Sequence, residues 1–182
     1  MRKTDARIRY TQGVLKQALL SFLQEKPINK ITVKEVCERA ELNRATFYAH
    51  YSDCFALLES IEEDLLEAFR QSLKLVDSFD VTALIEAIYT MIEQQQEACR
   101  VLIFQNVCPN VLRRMISLAR DESISYWKRH LHHITDAELE MLYTHLSNGL
   151  MHVVVEGYEK YSREEVVRFV NRIVQCSLSQ FQ

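Results

Sequence analysis

Residues 31–58, ITVKEVCERAELNRATFYAHYSDCFALL, decide the fold that we expect for this chain. Thr32 and Glu35 match a capping box, in which each side chain bonds the backbone N–H of the other residue. Apolar residues at helical spacing follow as far as Ala40. Asn43 is a favourable N-cap for a second short helix. Two short helices joined by about three or four residues form a helix-turn-helix, so we predict that motif here.

The centre of this stretch, Asn43–Tyr51 (NRATFYAHY), has side chains suited to DNA. Residues 42–52 contain no Asp or Glu, whereas an ordinary exposed helix face mixes both charges. In a helix-turn-helix the second helix lies in the major groove, its N-terminal residues reach base edges, and longer polar side chains bond phosphates. The predicted base contacts are Asn43, Arg44, Ala45 and Thr46, and the predicted phosphate contacts are Thr32, Tyr48, His50 and Tyr51.

Composition favours an all-α protein. The 182 residues are 48% hydrophobic and 26% charged but include only 3 glycines and 2 prolines, too few for the turns of a β-sandwich or barrel. No apolar run is long enough to cross a membrane, and the N-terminus lacks the apolar segment of a signal peptide. The 5 cysteines have no paired spacing. We therefore expect a reduced, cytoplasmic protein without a membrane partner.

Hydrophobic periodicity predicts about nine helices and no strand, arranged in two parts. Residues 1–52 form the predicted helix-turn-helix domain, a long helix over about 53–75 follows it, and residues 76–182 form a regulatory and dimerisation domain. Residues 1–60 hold 10 Lys and Arg against 7 Asp and Glu, whereas residues 61–182 hold 12 against 18. A basic module on an acidic body suits nucleic-acid binding. The other predicted helices cover residues 5–25, 82–97, 99–107, 111–133, 137–161 and 163–181.

Residues 8–60 resemble the DNA-binding domain of the tetracycline-repressor (TetR) family of bacterial transcription regulators. Besides the apolar first helix, the resemblance lies in Ile31-Thr32-Val33, Ala40, Arg44-Ala45-Thr46-Phe47-Tyr48, His50-Tyr51 and Leu57-Leu58. It covers roughly a third of the chain. The resemblance implies a homodimer whose C-terminal domain binds a small molecule and thereby controls DNA binding.

Two positions depart from the commonest pattern of that family. Glu41 stands where glycine is usual in the turn, and a glutamate in a left-handed conformation costs about 1 kcal/mol. Cys54 stands where many members have a lysine that meets a phosphate. At Cys54, only the backbone N–H groups of the helix N-terminus are left for such a phosphate.

The C-terminal part is expected to carry dimerisation and effector binding. The helices within about 137–181 are apolar on more of their circumference than one core face needs, so we predict a four-helix bundle across a two-fold axis. Gly149 and Gly157 would let helices approach closely. The candidate ligand-lining residues are Phe69, Tyr89, Phe104, Cys108, Met115, Tyr126, Trp127 and His152. Side chains of these types also fill ordinary cores, and they do not select an effector.

Other kinds of site have weaker signals. Of His130, His132 and His133, only the first and last can share a helix face, and two ligands do not make a metal site. The sequence has no Gly-rich phosphate loop, G-x-S-x-G or paired zinc-ligand motif, so we predict neither an enzyme nor a cofactor. The prediction is a ligand-responsive repressor that binds a palindromic double-stranded DNA operator as a homodimer. The alternative is a helical protein-interaction adaptor whose basic face binds an acidic partner.

Overall fold

The computed structural model of the chain describes residues 3–74 and 79–181, with side chains from residue 6 onward. This part of the chain forms nine α-helices and no strand, which confirms the predicted all-α class. The helices are α1 (Lys3–Leu23), α2 (Val33–Arg39), α3 (Arg44–Tyr48), α4 (Cys54–Leu73), α5 (Thr82–Gln94), α6 (Gln96–Cys99), α7 (Pro109–His130), α8 (Asp136–Gly157) and α9 (Arg163–Leu178).

Side-chain caps set the starts of several helices. The predicted capping box before α2 is confirmed, because Thr32 accepts from the Glu35 N–H and Glu35 accepts from the Thr32 N–H at 2.9 Å. The box formed by Ser162 and Glu165 begins α9. Another box, formed by Thr135 and Glu138, begins α8. In each case local side chains satisfy N–H groups that the helix itself leaves unpaired.

The structure corrects the helices predicted over residues 82–97 and 99–107. The helix α5 ends at Gln94, α6 is a single turn, and Arg100–Phe104 winds as a π-helix. A wider turn cannot be predicted from apolar periodicity in this run, because nearly every residue in it is apolar. Asn106 then takes a left-handed conformation with φ of 53° before the chain enters α7.

The long helix α4 contacts both parts of the molecule. It packs on α1 on one side and on α5 and α7 on the other. Lys16 of α1 donates to the Asp64 carboxylate at 2.5 Å. Arg114 of α7 pairs with Glu62 at 3.1 Å and also with Glu63. Packing and ion pairs therefore tie α4 to the N-terminal helices and to the C-terminal helices alike.

The helices α7, α8 and α9 pack in sequence order. Gly157 allows a close approach between α8 and α9 within one chain, because a Cβ atom there would lie 3.3 Å from Val166 Cγ2 and from Tyr161 Cδ2. Gly149 differs: a Cβ added to it would meet nothing within 4 Å among the described residues. Of the two glycines, Gly149 is therefore the one left for contact with another molecule.

Two further points concern the length of the helices and the predicted domain boundary. Across residues 3–74 and 79–181, no helix has both the length and the apolar character needed to span a bilayer. The predicted boundary between the long linking helix and the C-terminal domain, at residues 75 and 76, lies outside the described residues.

Candidate functional site

The turn between α2 and α3 closes through a left-handed residue. Glu41 has φ of 53°, the conformation that normally favours glycine. The Leu42 N–H donates to the Cys37 carbonyl at 2.9 Å, and the Glu41 N–H donates to the Glu38 carbonyl at 3.3 Å. This is the Schellman pattern of helix termination, with glutamate at the position where glycine is usual. The turn thus keeps its ordinary geometry despite the glutamate, which adopts the left-handed conformation at its steric cost.

The helix α3 presents most of its surface to solvent. Its single buried residue among Arg44–Tyr48 is Phe47, which packs in the core. Arg44 and Ala45 are exposed, and Tyr48 is 57% exposed. Thr46 and His50 are half-buried at the edges of this surface. The residues predicted to read bases therefore lie on one accessible end of a short helix.

Two of the predicted contact residues already use their polar atoms. The Asn43 Oδ1 accepts from the Thr46 N–H at 2.7 Å and from the Thr46 hydroxyl at 3.0 Å. Both the N–H and the hydroxyl of Thr32 donate to Glu35, which also accepts from Lys26 at 2.6 Å. These bonds, that of Lys26 first, hold the pKa of Glu35 down at about 2. A phosphate at Thr32 would have to displace a charged carboxylate.

Tyr51 lies in the core, and this placement corrects its assignment as a phosphate contact. Its side chain is 8% exposed, and its ring centre lies 6.0 Å from that of Phe47. The hydroxyl oxygen is covered and has no hydrogen-bond partner among the described residues. A phosphate cannot reach this hydroxyl while it is covered, so Tyr51 instead packs behind α3 against Phe47. Neighbouring Tyr48 keeps the exposed position that a phosphate contact requires.

The start of α4 also differs from the family's pattern. Cys54 is buried, and burial raises the pKa of its thiol to about 11. The thiol is therefore uncharged and unreactive at neutral pH. The Asp53 side chain accepts from the Ala56 N–H at 2.8 Å and so occupies this helix end. Neither residue offers a phosphate the positive partner that a lysine would supply.

A cavity lies in the C-terminal part, with a volume of about 70 Å³. Five helices line it, and α4 forms one wall through its last turn. Side chains from each helix include Phe69 and Leu73 of α4, Ile88 of α5, Trp127 of α7, Ser147 of α8 and Leu178 of α9. Phe69 and Trp127 are the two predicted lining residues that the structure places in its wall.

The other six predicted lining residues lie elsewhere. Met115 is fully buried in the core, and His152 is exposed on α8. Tyr89 and Phe104 both pack against the ring of Tyr158, at 5.4 Å and 5.2 Å between ring centres. The half-buried Cys108 and Tyr126 do not border the cavity either. Burial raises the pKa of the Cys108 thiol to about 11, and the ring of Tyr126 stacks on that of His130.

Three hydroxyl groups of the cavity wall, those of Ser123, Tyr143 and Ser147, were not predicted from the sequence. The Tyr143 hydroxyl donates to the Ile116 carbonyl at 2.5 Å, and burial raises the pKa of Tyr143 to about 12. A period-3.6 pattern would place these residues with the apolar stripe of each helix. It does not show which part of that stripe meets a cavity rather than another side chain.

An apolar face is exposed on α8 and α9. Met141, Phe169 and Ile173 are 63%, 45% and 42% exposed. A groove beside the last two is bordered by His145 and Gly149 of α8. Isolated exposed apolar residues are common, but Phe169 and Ile173 beside an open groove, with Met141 exposed on the same pair of packed helices, form a candidate contact surface.

Metal ligands are not grouped in the described residues, where no three His, Cys, Asp or Glu side chains could hold one ion. Of the three histidines near the end of α7, His130 stacks on Tyr126 with 4.2 Å between ring centres. His133 takes a left-handed conformation beyond the helix. The helix therefore ends before it can bring these side chains onto one face.

This arrangement of helices is the fold of the TetR-family transcriptional regulators. A TetR transcriptional regulator from Streptococcus agalactiae 2603V has a TM-score of 0.67 at 24% identity, over 94% of this chain and 97% of that chain. The dihydroxyacetone kinase operon activator DhaS has a TM-score of 0.59 at 15% identity, over 94% and 98%. At these identities the likeness shows the fold, and it confirms at that level the resemblance predicted from the sequence.

Sequence comparison gives a shorter match. The uncharacterized HTH-type transcriptional regulator YxbF of Bacillus subtilis (strain 168) is 37% identical over 62 residues. These residues are 34% of this chain and 16% of YxbF, so the similarity spans a small part of that relative. No family model matches the sequence.

Proposed function

We propose that this protein is a DNA-binding transcriptional regulator of the cytoplasm, without enzymatic activity. The observation that carries the proposal is the exposed, acid-free surface of α3, with Arg44, Ala45 and Tyr48 facing solvent at the end of a helix-turn-helix. A guanidinium on such a surface can bond the edge of guanine through two N–H groups. The TetR-type fold and the helix-turn-helix relative support the same function.

The proposed contacts divide into base readers and phosphate binders. Arg44 reads a guanine, and the Thr46 methyl group packs on a thymine methyl group. Tyr48 and His50 bond phosphates, which fix the position of the helix without reading sequence. Asn43 and Thr32 act chiefly as helix caps, because their side chains already serve Thr46 and Glu35.

We propose that the protein binds a palindromic operator as a homodimer. The exposed apolar face of α8 and α9 would meet the same face of a second copy across a two-fold axis, forming a four-helix bundle. Gly149 is open on this face and allows the partner helix to come close. A two-fold dimer places two copies of α3 on half-sites about one helical turn of DNA apart, or a multiple of that.

We propose that a small-molecule effector controls this binding through α4. A ligand that separates the walls of the cavity displaces Phe69 or Leu73 in the last turn of α4. Because α4 also packs on α1, its movement changes the separation of the two reading helices and so the DNA affinity. Repression needs only that the bound dimer block transcription, so we propose that the protein is a repressor. Its fold is also that of the activator DhaS, so activation is the alternative that an experiment must distinguish from repression.

The decisive experiment is selection of bound sequences from random double-stranded DNA. We expect a palindrome whose affinity falls steeply with salt, because phosphate contacts release counterions. Arg44→Ala should then lower affinity for that palindrome by about 100-fold or more, because the homodimer loses one bidentate base contact in each half-site, and leave the dimer intact. The matched control is Arg113→Ala, which removes the same charge from an exposed position of α7.

Two outcomes would contradict the proposal. One is an unchanged affinity of Arg44→Ala for the selected sequence. The other is selection of no sequence at all, with binding only to acidic proteins, which would favour a helical interaction adaptor. Placement of the selected palindrome before a reporter gene then distinguishes repression from activation.

A further inference from the structure

The cavity between α4, α5, α7, α8 and α9 has a definite chemical character. None of the described residues that line it carries a charge. Its wall is made of aliphatic and aromatic side chains, interrupted by the hydroxyl groups of Ser123, Tyr143 and Ser147. An unpaired ion in such a site loses its hydration without gaining a partner, which costs several kcal/mol or shifts its pKa until it is neutral. The wall therefore selects against carboxylates and ammonium groups.

Ser147 supplies a buried polar atom of the cavity wall with unused bonding capacity. Its hydroxyl oxygen is covered and has no hydrogen-bond partner of normal geometry among the described residues. It lies close to the Tyr143 hydroxyl and acts to lower the pKa of Tyr143 against the larger effect of burial. Tyr143 donates its own proton to the Ile116 carbonyl, so it does not donate to Ser147, and the oxygen of Ser147 stays free to accept. Buried hydroxyl groups are nearly always bonded, so an unbonded one that faces a cavity indicates a missing partner there.

We propose that the effector is a neutral, mainly apolar molecule with one hydroxyl or carbonyl oxygen that hydrogen-bonds Ser147. This inference rests on the proposed function, because it names the chemical class of the effector. The apolar body occupies the space beside Phe69 and Trp127, and the oxygen turns toward α8. Ser147 sets the orientation, since its buried hydroxyl has no hydrogen-bond partner of normal geometry among the described residues.

The size of the cavity couples ligand entry to α4. A dry cavity of about 150 Å³ holds one benzene molecule, so a cavity of about 70 Å³ holds an organic ligand only after its walls separate. Phe69 and Leu73 form the wall on α4, whose other contacts reach α1. Binding of a ligand of this class therefore moves the helix that supports the reading surface.

Trp127 makes the proposal measurable. It is the single tryptophan of the chain, and it lines the cavity. Three probes share a six-membered ring and differ in one group: cyclohexanol, methylcyclohexane and cyclohexanecarboxylate. We expect Trp127 fluorescence to titrate with cyclohexanol at millimolar concentration or below, and to be unaffected by the carboxylate at the same concentrations.

The variant Ser147→Ala tests the anchor. It should weaken cyclohexanol binding by about five- to tenfold, the worth of one hydrogen bond, and leave methylcyclohexane binding unchanged. Ser125→Ala, which removes an exposed hydroxyl from α7 outside the cavity wall, is the matched control. Ser147→Cys keeps the shape with a weaker donor, and it replaces Ser147→Ala if the alanine variant does not fold. An equal effect on alcohol and hydrocarbon, no effect on either, or binding of the carboxylate as tight as that of the alcohol would overturn the proposal.

The same samples distinguish this inference from the proposed function. Affinity for the selected palindrome is measured without a probe and with each probe. Selective cyclohexanol binding without any DNA binding would refute the proposed function and leave the ligand class standing. DNA binding combined with probe binding that does not depend on Ser147 would refute the ligand class alone.

Discussion

The helix-turn-helix, residues 32–51, and the C-terminal cavity place their important side chains in opposite ways. In the first, the candidate contacts are neighbours in sequence, and they reach solvent because α3 buries only Phe47. In the second, the lining residues come from five helices between Phe69 and Leu178 and face inward. Local spacing therefore specifies the proposed DNA-binding surface, whereas packing of distant helices specifies the proposed effector cavity.

The two regions also differ in the features that reduce the stability of the fold. Around the reading helix the cost lies in the backbone at left-handed Glu41 and in the covered hydroxyl of Tyr51. In the cavity the cost is the unbonded hydroxyl of Ser147. In the helix-turn-helix, a substitution of Glu41 or Tyr51 can raise the stability of the fold without loss of DNA binding. In the cavity, a substitution of Ser147 would also remove the proposed ligand contact.

The largest expected effect tests whether the exposed face of α8 and α9 forms the dimer that binding to a palindrome requires. Ile173→Asp places a charge on the exposed apolar face, where burial against a second copy would leave it unpaired. We expect a monomer by light scattering at micromolar concentration. Affinity for the palindrome should fall on the order of 100-fold, because the second half-site no longer benefits from linkage.

The control for that variant is Ser125→Asp, which adds the same charge at an exposed position of α7. It should remain dimeric. A wild-type protein that is itself monomeric, or an Ile173→Asp protein that stays dimeric, would show that the face on α8 and α9 is not the interface.

The next effect separates two neighbouring tyrosines of the reading region. Tyr48→Phe should lower DNA affinity about tenfold, because an exposed hydroxyl loses its bond to a charged phosphate, and should leave stability unchanged. Tyr51→Phe should do the reverse: DNA affinity stays, and the free energy of unfolding rises by up to about 1 kcal/mol because a covered, unbonded hydroxyl is removed. DNA titration and urea unfolding measure the two quantities. Reversed behaviour of the pair would restore Tyr51 as a phosphate contact.

A smaller effect is expected at the turn. Glu41→Gly should raise the free energy of unfolding by about 0.5–1 kcal/mol, since glycine adopts the left-handed conformation without steric cost. Glu38→Gly is the matched comparison, because the same change inside α2 should lower stability by about 1 kcal/mol. Urea unfolding of both variants checks the signs. A destabilised Glu41→Gly protein would mean that the glutamate side chain contributes more than its backbone costs.

The smallest expected effect is on the stability of the fold at acid pH. The pKa of Glu35 falls from its ordinary value of 4.5 to about 2 in the folded protein, through Lys26 first and then Thr32. A lowered pKa stabilises the fold above pH 4.5, and this contribution is lost as the pH falls toward 2. Glu35→Gln should therefore flatten the loss of stability across that range, as measured by urea unfolding at several pH values. Glu138→Gln should flatten it less, because Thr135 alone lowers the pKa of Glu138. An equal effect of both would exclude the contribution of Lys26.

Prediction from the sequence succeeded where neighbouring residues decide the structure. The capping box at Thr32, the all-α class and the TetR-type fold follow from local signals and a contiguous motif. The family resemblance singled out Glu41 as standing where glycine is usual, and the structure shows there the left-handed conformation that glycine favours. Prediction failed for the π-helix at Arg100–Phe104, because a uniformly apolar run carries no period that distinguishes one kind of turn from another.

The sequence by itself determined the helices and the reading surface, because caps, breakers and helical spacing act over a few residues. Only the tertiary structure decided that Tyr51 is covered while Tyr48 is exposed, since both are tyrosines three positions apart and the packing around Phe47 separates them. The cavity with its unbonded Ser147 also belongs to the tertiary structure. An empty space exists only between helices that have packed, and no single stretch of the chain specifies it.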